Sequence, residues 1–422
     1  MNNVVLNLVT SKNFLSISEA LTKIKELVVP VLQTEPIYLD SGVGRVLSDD
    51  VFSPIPLPPF KSSAMDGFAL RLSDWGNSED KTFSIAGVSL AGHPNSGRIK
   101  HGECVRVFTG AKVPDECDQI ILQEDVEFAD ESIVRFQDHQ PGETYVRPVG
   151  HDIDRNQQIA MKGQELNPIS LSRISASGVN KVNVFRKPKI GVLSSGDELV
   201  SAKIPYRELK DGQIFESNKT FLLRSLEKLN VEIVDHGSIG DSREQTEQAL
   251  NTAAKSCDLL ITTGGVLVGD ADHITKTIQA LGSLDFWRLN LKPGKPLAFG
   301  SIGDCKMLGL PGNPVSTIVT TLLLAYPLIE HLKGTKPKDP IKVKAQIKTN
   351  ILHSPGRTEY QRGLFASEPD GRLVVEQLGD QSSNRLSSFN NCNCLIEIPS
   401  TRGNLELNDE VTILPLVNFG IF

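Results

Sequence analysis

Two glycine-rich turns carry acids just beyond strand-like runs. The first is Ser195-Gly196-Asp197-Glu198 after residues 189–194, and the second runs from Gly264-Gly265 to Asp272 after residues 259–263. Glycine-lined backbone can hold an anion, and nearby carboxylates can hold the cation that the anion brings with it. Glu198, Asp241 and Asp272 follow successive apolar runs, and in a parallel sheet such positions converge on one rim. Three converging carboxylates repel unless a cation neutralises them. A hard, oxygen-preferring ion such as Mg²⁺ fits, because no set of histidines and cysteines has comparable placement. The alternative is that these are helix caps or solvated turn acids, since Asp241 sits just before a predicted helix, where an N-cap belongs.

The opposite charge comes in Arg288-Leu289-Asn290-Leu291-Lys292-Pro293-Gly294-Lys295. On an extended segment Arg288, Asn290 and Lys292 share a face, and the Pro-Gly turn brings Lys295 back towards them. Leu310-Pro311-Gly312-Asn313-Pro314-Val315-Ser316 then leads from a strand into a long apolar helix, whose free N–H groups and positive end suit a phosphate or another oxyanion. Neither glycine turn is a Walker A motif or a full dinucleotide fingerprint. A second set lies earlier: Asp66 among Ser62, Ser63 and Gly67, Thr109-Gly110 after a strand, and Arg147 with Asp152. Asp66 reads either as a local Asx-turn or as part of a cleft that another subunit helps to form. Cys392 with Cys394 falls short of a zinc site, His273 has no second histidine at useful spacing, and Gly-x-Ser-x-Gly is absent.

These groups need elements to position them, and 422 residues imply two to four domains. A net charge of -7 argues against broad nucleic-acid binding, and six cysteines in so long a chain do not form a disulfide framework. The start lacks a secretory pattern, and the apolar stretch 318–329 is broken by Thr320, Thr321 and Pro327, so the expectation is a cytoplasmic protein with no membrane span. Ser16 and Glu19 open an amphipathic helix over 14–28. Short strands between 68 and 150 indicate a small β-rich domain, and residues 168–177 read as a helix. From 189 onward strands at 189–194, 231–236 and 258–263 alternate with helices at 217–229, 242–255 and 273–281. Strands near 284–291, 297–300 and 305–310 and a helix over 314–331 follow. This alternation predicts a mostly parallel α/β sheet covered on both faces. After Gly334 a Lys/Pro-rich linker opens a compact β domain.

The ordered set Ser63-Ala64-Met65-Asp66-Gly67, Thr109-Gly110-Ala111, Gly150-His151-Asp152-Ile153, Ser195-Gly196-Asp197-Glu198-Leu199, Asp211-Gly212-Gln213-Ile214, Gly264-Gly265-Val266 through Asp272, Lys292-Pro293-Gly294-Lys295-Pro296 and Leu310-Pro311-Gly312-Asn313-Pro314 resembles the MoeA family of molybdopterin molybdenumtransferases. The resemblance covers nearly the whole chain. It implies an elongated, multidomain α/β plus β homodimer. Residues 1–55 and 153–187 would form the amino-terminal domain, 56–152 an inserted β-rich domain, 188–335 the molybdopterin-binding α/β domain, and 340–422 a β-barrel-like domain.

It also implies that adenylated molybdopterin and molybdate give molybdenum cofactor and AMP with Mg²⁺. Glu198, Asp241 and Asp272 would hold the ion, while Asp66, Thr109, Asp152 and Lys292 would join them in catalysis. Substrate binding would fall to Gly196, Gly264, Gly265, Arg288, Lys292, Lys295, Pro311, Gly312, Asn313, Pro314 and Ser316. The site would lie near the subunit boundary, and contact with the adenylyltransferase of the preceding step is a further expectation. An adenylyltransferase or a metal-dependent pyrophosphohydrolase of the same central fold is the alternative. Three departures bear on affinity: Leu267 stands where many relatives have serine, Arg288 replaces a common lysine, and the run after Asp272 is one residue longer.

Overall fold

The computed structural model describes residues 14–137, 141–266, 273–335 and 339–420. They divide into two compact units, one taking residues up to 35, 44–46 and from 185 onward, the other residues 36–43 and 47–184.

The first helix, α1 (Ile17–Leu27), starts where the Ser16 and Glu19 pattern predicts. Glu19 N–H donates to Ser16 Oγ at 3.3 Å, and Ser16 N–H donates to the Glu19 carboxylate at 2.7 Å. Its apolar face, Ala20 and Ile24, enters the same core as Ile190 and Leu222, so it belongs with the sheet of the larger unit.

The smaller unit holds a six-stranded sheet of β1 (Gly67–Leu70), β2 (Thr82–Ser89), β3 (Glu103–Val107), β4 (Gln119–Leu122), β5 (Val126–Ala129) and β6 (Ile133–Phe136), in the order β4-β1-β3-β2-β6-β5. Phe68, Trp75, Phe83 and Phe136 pack one face. A separate small core joins Leu47 to Ile153, Ile159, Leu166, Ile174 and Val184, drawing on chain before and after the sheet and on α2 (Pro168–Ala176).

The larger unit is built on β7 (Lys189–Ser195), α3 (Asn218–Leu226), β8 (Glu232–Ile239), α4 (Arg243–Ala254), β9 (Leu259–Thr263) and α5 (His273–Leu281), followed by β10 (Ser283–Trp287), β11 (Leu291–Lys292), β12 (Ala298–Ile302) and β13 (Cys305–Leu310). The sheet order is β8-β7-β9-β13-β12-β10. Its first four strands are parallel, β12 runs against them, and β10 pairs antiparallel with β12. Every residue of β9 is buried, as a strand covered on both faces requires.

The expected strand over 284–291 is instead two strands. β10 stops at Trp287, Arg288 takes a left-handed φ of 75°, and β11 leaves the sheet to pair with the carboxy-terminal domain.

The helix after β13 runs from Pro314 to Leu332 through α6 (Pro314–Thr320), a π turn (Thr321–Ala325) and α7 (Tyr326–Leu332). Pro327 cannot donate to the helical ladder, and the wider turn before it lets the helix continue. By length and composition alone the whole helix Pro314–Leu332 could cross a membrane, but 83% of its most apolar window is buried inside the fold. It is the core helix of the unit, with Leu322, Leu324 and Leu328 fully buried.

The carboxy-terminal strands β14 (Val343–Ile347), β15 (Thr358–Ser367), β16 (Leu373–Gln377), β17 (Cys394–Ile398) and β18 (Glu410–Pro415) close a five-stranded barrel in the order β15-β16-β14-β18-β17 and back to β15, with β11 added beside β15. All six cysteines are free and buried.

Candidate functional site

The two glycine turns meet. Gly264 has φ 79°, and a Cβ there would lie 2.2 Å from the Ser195 carbonyl oxygen. Gly265 has φ 63°, and its Cβ would lie 2.7 Å from Ile274. Gly264 therefore has to be glycine for the close approach to the end of β7 and Gly265 for that to α5, not only for the turn. Gly196 donates its N–H to Ile239 at the end of β8 at 3.1 Å, and the Glu198 carboxylate lies so close to it that a Cβ would stand 2.5 Å from Oε2.

Asp241 follows β8, and its carboxylate accepts a hydrogen bond from Ser195 Oγ at 2.9 Å. It is not the helix cap that its position suggests. Ser242 caps α4, accepting from Gln245 N–H at 3.3 Å, which leaves Asp241 facing the turn. Asp197 was missed: its carboxylate accepts the Asp241 N–H at 3.0 Å and so fixes the loop that presents Asp241. Nothing in the sequence separates that role from the one given to its neighbour Glu198. Asp272 and Leu267 lie outside the described residues. Among the described residues no three His, Cys, Asp or Glu side chains form a metal-holding group. Glu198 and Asp241 nevertheless provide oxygen donors of the kind Mg²⁺ takes when most of its remaining ligands are phosphates and water.

A cavity of about 700 Å³ opens beside these turns. Ser195, Glu198, Gly264, Lys292, Lys295, Pro311, Gly312, Asn313, Pro314 and Ser316 line it, with Ile214, Phe215 and Val266 as an apolar wall. The barrel contributes Arg357 and the loop Gln381, Ser382, Ser383 and Asn384, none of which stood out in a tail read only for its strands.

Arg288 does not join Lys292 on one face. Its left-handed φ turns it away, and its guanidinium lies 3.8 Å from the Trp287 ring centroid. The helix start also offers fewer donors than expected, because Pro314 has none and Val315 N–H is taken by the Ser383 carbonyl at 3.0 Å. Asn313 Nδ2 donates to Ser383 Oγ at 3.0 Å, and Asn218 Nδ2 donates to the Gly312 carbonyl at 2.7 Å. These bonds hold the Pro311 turn open towards the cavity.

In the smaller unit Thr109 donates both its N–H and its hydroxyl to Asp66 Oδ1, each at 2.8 Å. The backbone donor first, then the hydroxyl, hold the Asp66 carboxyl below the usual carboxylate range. This replaces the local Asx-turn: Ser63 Oγ closes its own turn on the Met65 carbonyl, and the partner of Asp66 comes from 43 residues away. Asp152 lies with Arg147, His151, Ser62, Leu57 and Pro58 in a separate recess of about 430 Å³.

Known proteins resemble this chain along most of its length. Residues 15–178 match the MoeA N-terminal region (domain I and II), 191–331 a "probable molybdopterin binding domain", and 344–416 the MoeA C-terminal region (domain IV). The molybdopterin molybdenumtransferase of Haemophilus influenzae is 37% identical over 95% of this chain and 98% of its own length. The gephyrin of Dictyostelium discoideum is 28% identical over 89% of the chain, which spans 58% of that longer protein. A crystal structure of a molybdopterin biosynthesis MoeA protein from Pyrococcus horikoshii superposes with a TM-score of 0.80 at 26% identity, covering 96% of this chain and 100% of that one. On these similarities, which run in order through almost the whole sequence, the chain belongs to the MoeA family of molybdopterin molybdenumtransferases.

Proposed function

We propose that the chain transfers molybdenum from molybdate to adenylated molybdopterin and releases AMP. The observation that carries this reading is the cavity that Lys292, Lys295, Glu198, Gly264 and Gly312 line together. Such a site suits a phosphoanhydride, with lysine ammonium groups offsetting negative charge as that bond is cleaved. The apolar wall of Ile214, Phe215 and Val266 suits a flat ring. Glu198 and Asp241 would hold Mg²⁺ together with phosphate oxygens, with Asp272 as a further ligand, and the ion would polarise the phosphoanhydride when bound. Thr109 keeps Asp66 ionised and oriented. Asp66 and Asp152 would serve the site from the other subunit of a homodimer, working in the cytoplasm.

The alternative is another enzyme of the same central fold, an adenylyltransferase or a metal-dependent pyrophosphohydrolase, and one experiment separates the readings. Purified protein with Mg²⁺ is given either molybdopterin plus ATP, or adenylated molybdopterin plus molybdate. The transferase reading expects AMP and active cofactor only from the second pair. Formation of the adenylated compound from the first pair would overturn it in favour of an adenylyltransferase.

A further inference from the structure

Lys292 enters the cavity from β11, and its ammonium is held from behind. Nζ lies 3.0 Å from Oε1 of Glu359, a β15 side chain only 4% exposed, whereas the Lys292 side chain is 50% exposed. The same two residues are paired in the backbone register of β11 and β15. The second Glu359 oxygen, Oε2, is buried and makes no hydrogen bond. His353 Nε2 stands 3.6 Å from it. Both nitrogens of that ring face carbonyl oxygens, Arg402 at 2.8 Å and Arg357 at 3.3 Å. A carboxylate so deeply placed is costly unless a cation faces it. The direct ion pair at Oε1 comes from Lys292, one of the lysines lining the anion cavity, while His353 stands beside Oε2.

We propose that Glu359 is a positioning residue for Lys292. It takes one of the three ammonium donors and leaves two directed at the phosphoryl or oxyanion group of the substrate. The inference rests on the reading of this cavity as the anion site of the molybdenum transfer. Because Glu359 is itself negative, it also weakens the positive field felt by an incoming anion. It gives up ground-state affinity for orientation, so removing its charge while keeping its shape moves binding and turnover in opposite directions.

Three variants test this, with inorganic pyrophosphate as the binding probe in calorimetry. Glu359→Gln is expected to bind pyrophosphate about two- to fivefold more tightly, while kcat for molybdate-dependent AMP release falls about tenfold. Glu359→Asp keeps the charge but retracts it, so kcat falls without tighter binding. Lys292→Met removes the direct ion pair of the buried carboxylate and lowers the Tm. Adding Glu359→Gln to that variant is expected to recover much of the lost Tm and to leave kcat where Lys292→Met alone puts it.

The proposal is overturned if Glu359→Gln weakens binding and turnover together or changes neither, or if the double variant melts no higher than Lys292→Met. A wild-type protein without molybdate-dependent AMP release would sink the functional reading instead. The Tm comparison would still decide whether the two residues act as a pair.

Discussion

Asp66 owes its environment to one neighbour, Thr109, whose N–H and hydroxyl both point at the same carboxylate oxygen. Thr109→Val keeps the backbone donor and removes the other. The group's pKa is depressed in the native chain, so losing a donor raises it, and the acid limb of the pH–rate profile should move to higher pH. Turnover at neutral pH should fall on the order of tenfold through the lost orientation. An unchanged acid limb in Thr109→Val would detach Asp66 from the reaction. The pair was not visible as a pair in the sequence, because each residue has a plausible local partner and their contact depends on how β1 and β3 pair. Arg288 shows the converse. An alternating face was legible in Arg288, Asn290 and Lys292, but a single left-handed residue breaks the strand and sends the arginine to Trp287. No short-range pattern marks that position.

Among elements, the strands with continuous apolar runs, β7, β9 and β13, were the most legible, since burial on both faces leaves no polar alternation to misread. The glycine turns were legible as turns. That Gly264 also touches the Ser195 backbone is a tertiary fact. Gly264→Ala combines a collision with backbone and a left-handed conformation, and is expected to destabilise the protein by about 1–3 kcal/mol. It should also displace Ser195, and with it the Asp241 carboxylate. Thermal melting together with AMP release checks both effects, and a variant with native Tm and activity would show that the turn can yield.

The base of the sheet is tied by Arg186, whose guanidinium makes two 2.8 Å bonds to Asp258 while Lys189 N–H adds a third at 2.7 Å. Burial raises the Asp258 pKa, but these donors outweigh it and leave the carboxyl below its ordinary range. Because the folded value is depressed, the contribution is complete above the unfolded pKa of roughly 3.9 and is lost as pH falls through the folded one. Asp258→Asn should cost about 1–2 kcal/mol at neutral pH, allowing for solvent at this partly exposed pair. Denaturant unfolding should show the gap from wild type closing below about pH 4.

Over the whole molecule, the candidate transfer site in the larger unit depends on the barrel as much as on the sheet. β11 leaves the sheet to join β15, and the Ser383 loop closes on the start of α6. The barrel's strands could be read from alternation, but its closure through β15 and β17 and its share of the cavity could not, because both need residues far apart in the chain. On the proposed function, this cavity couples cleavage of the adenylated substrate to molybdenum insertion with the help of Glu198. The most direct measurement is AMP release from adenylated molybdopterin as molybdate is titrated, with Mg²⁺ present, for wild type and for Glu198→Gln. In the wild type, release and active cofactor should rise together with molybdate. In Glu198→Gln both should be lost by on the order of a hundredfold, and chelation of Mg²⁺ should stop the wild-type reaction. Release that ignores molybdate, or a Glu198→Gln variant as active as wild type, would contradict it.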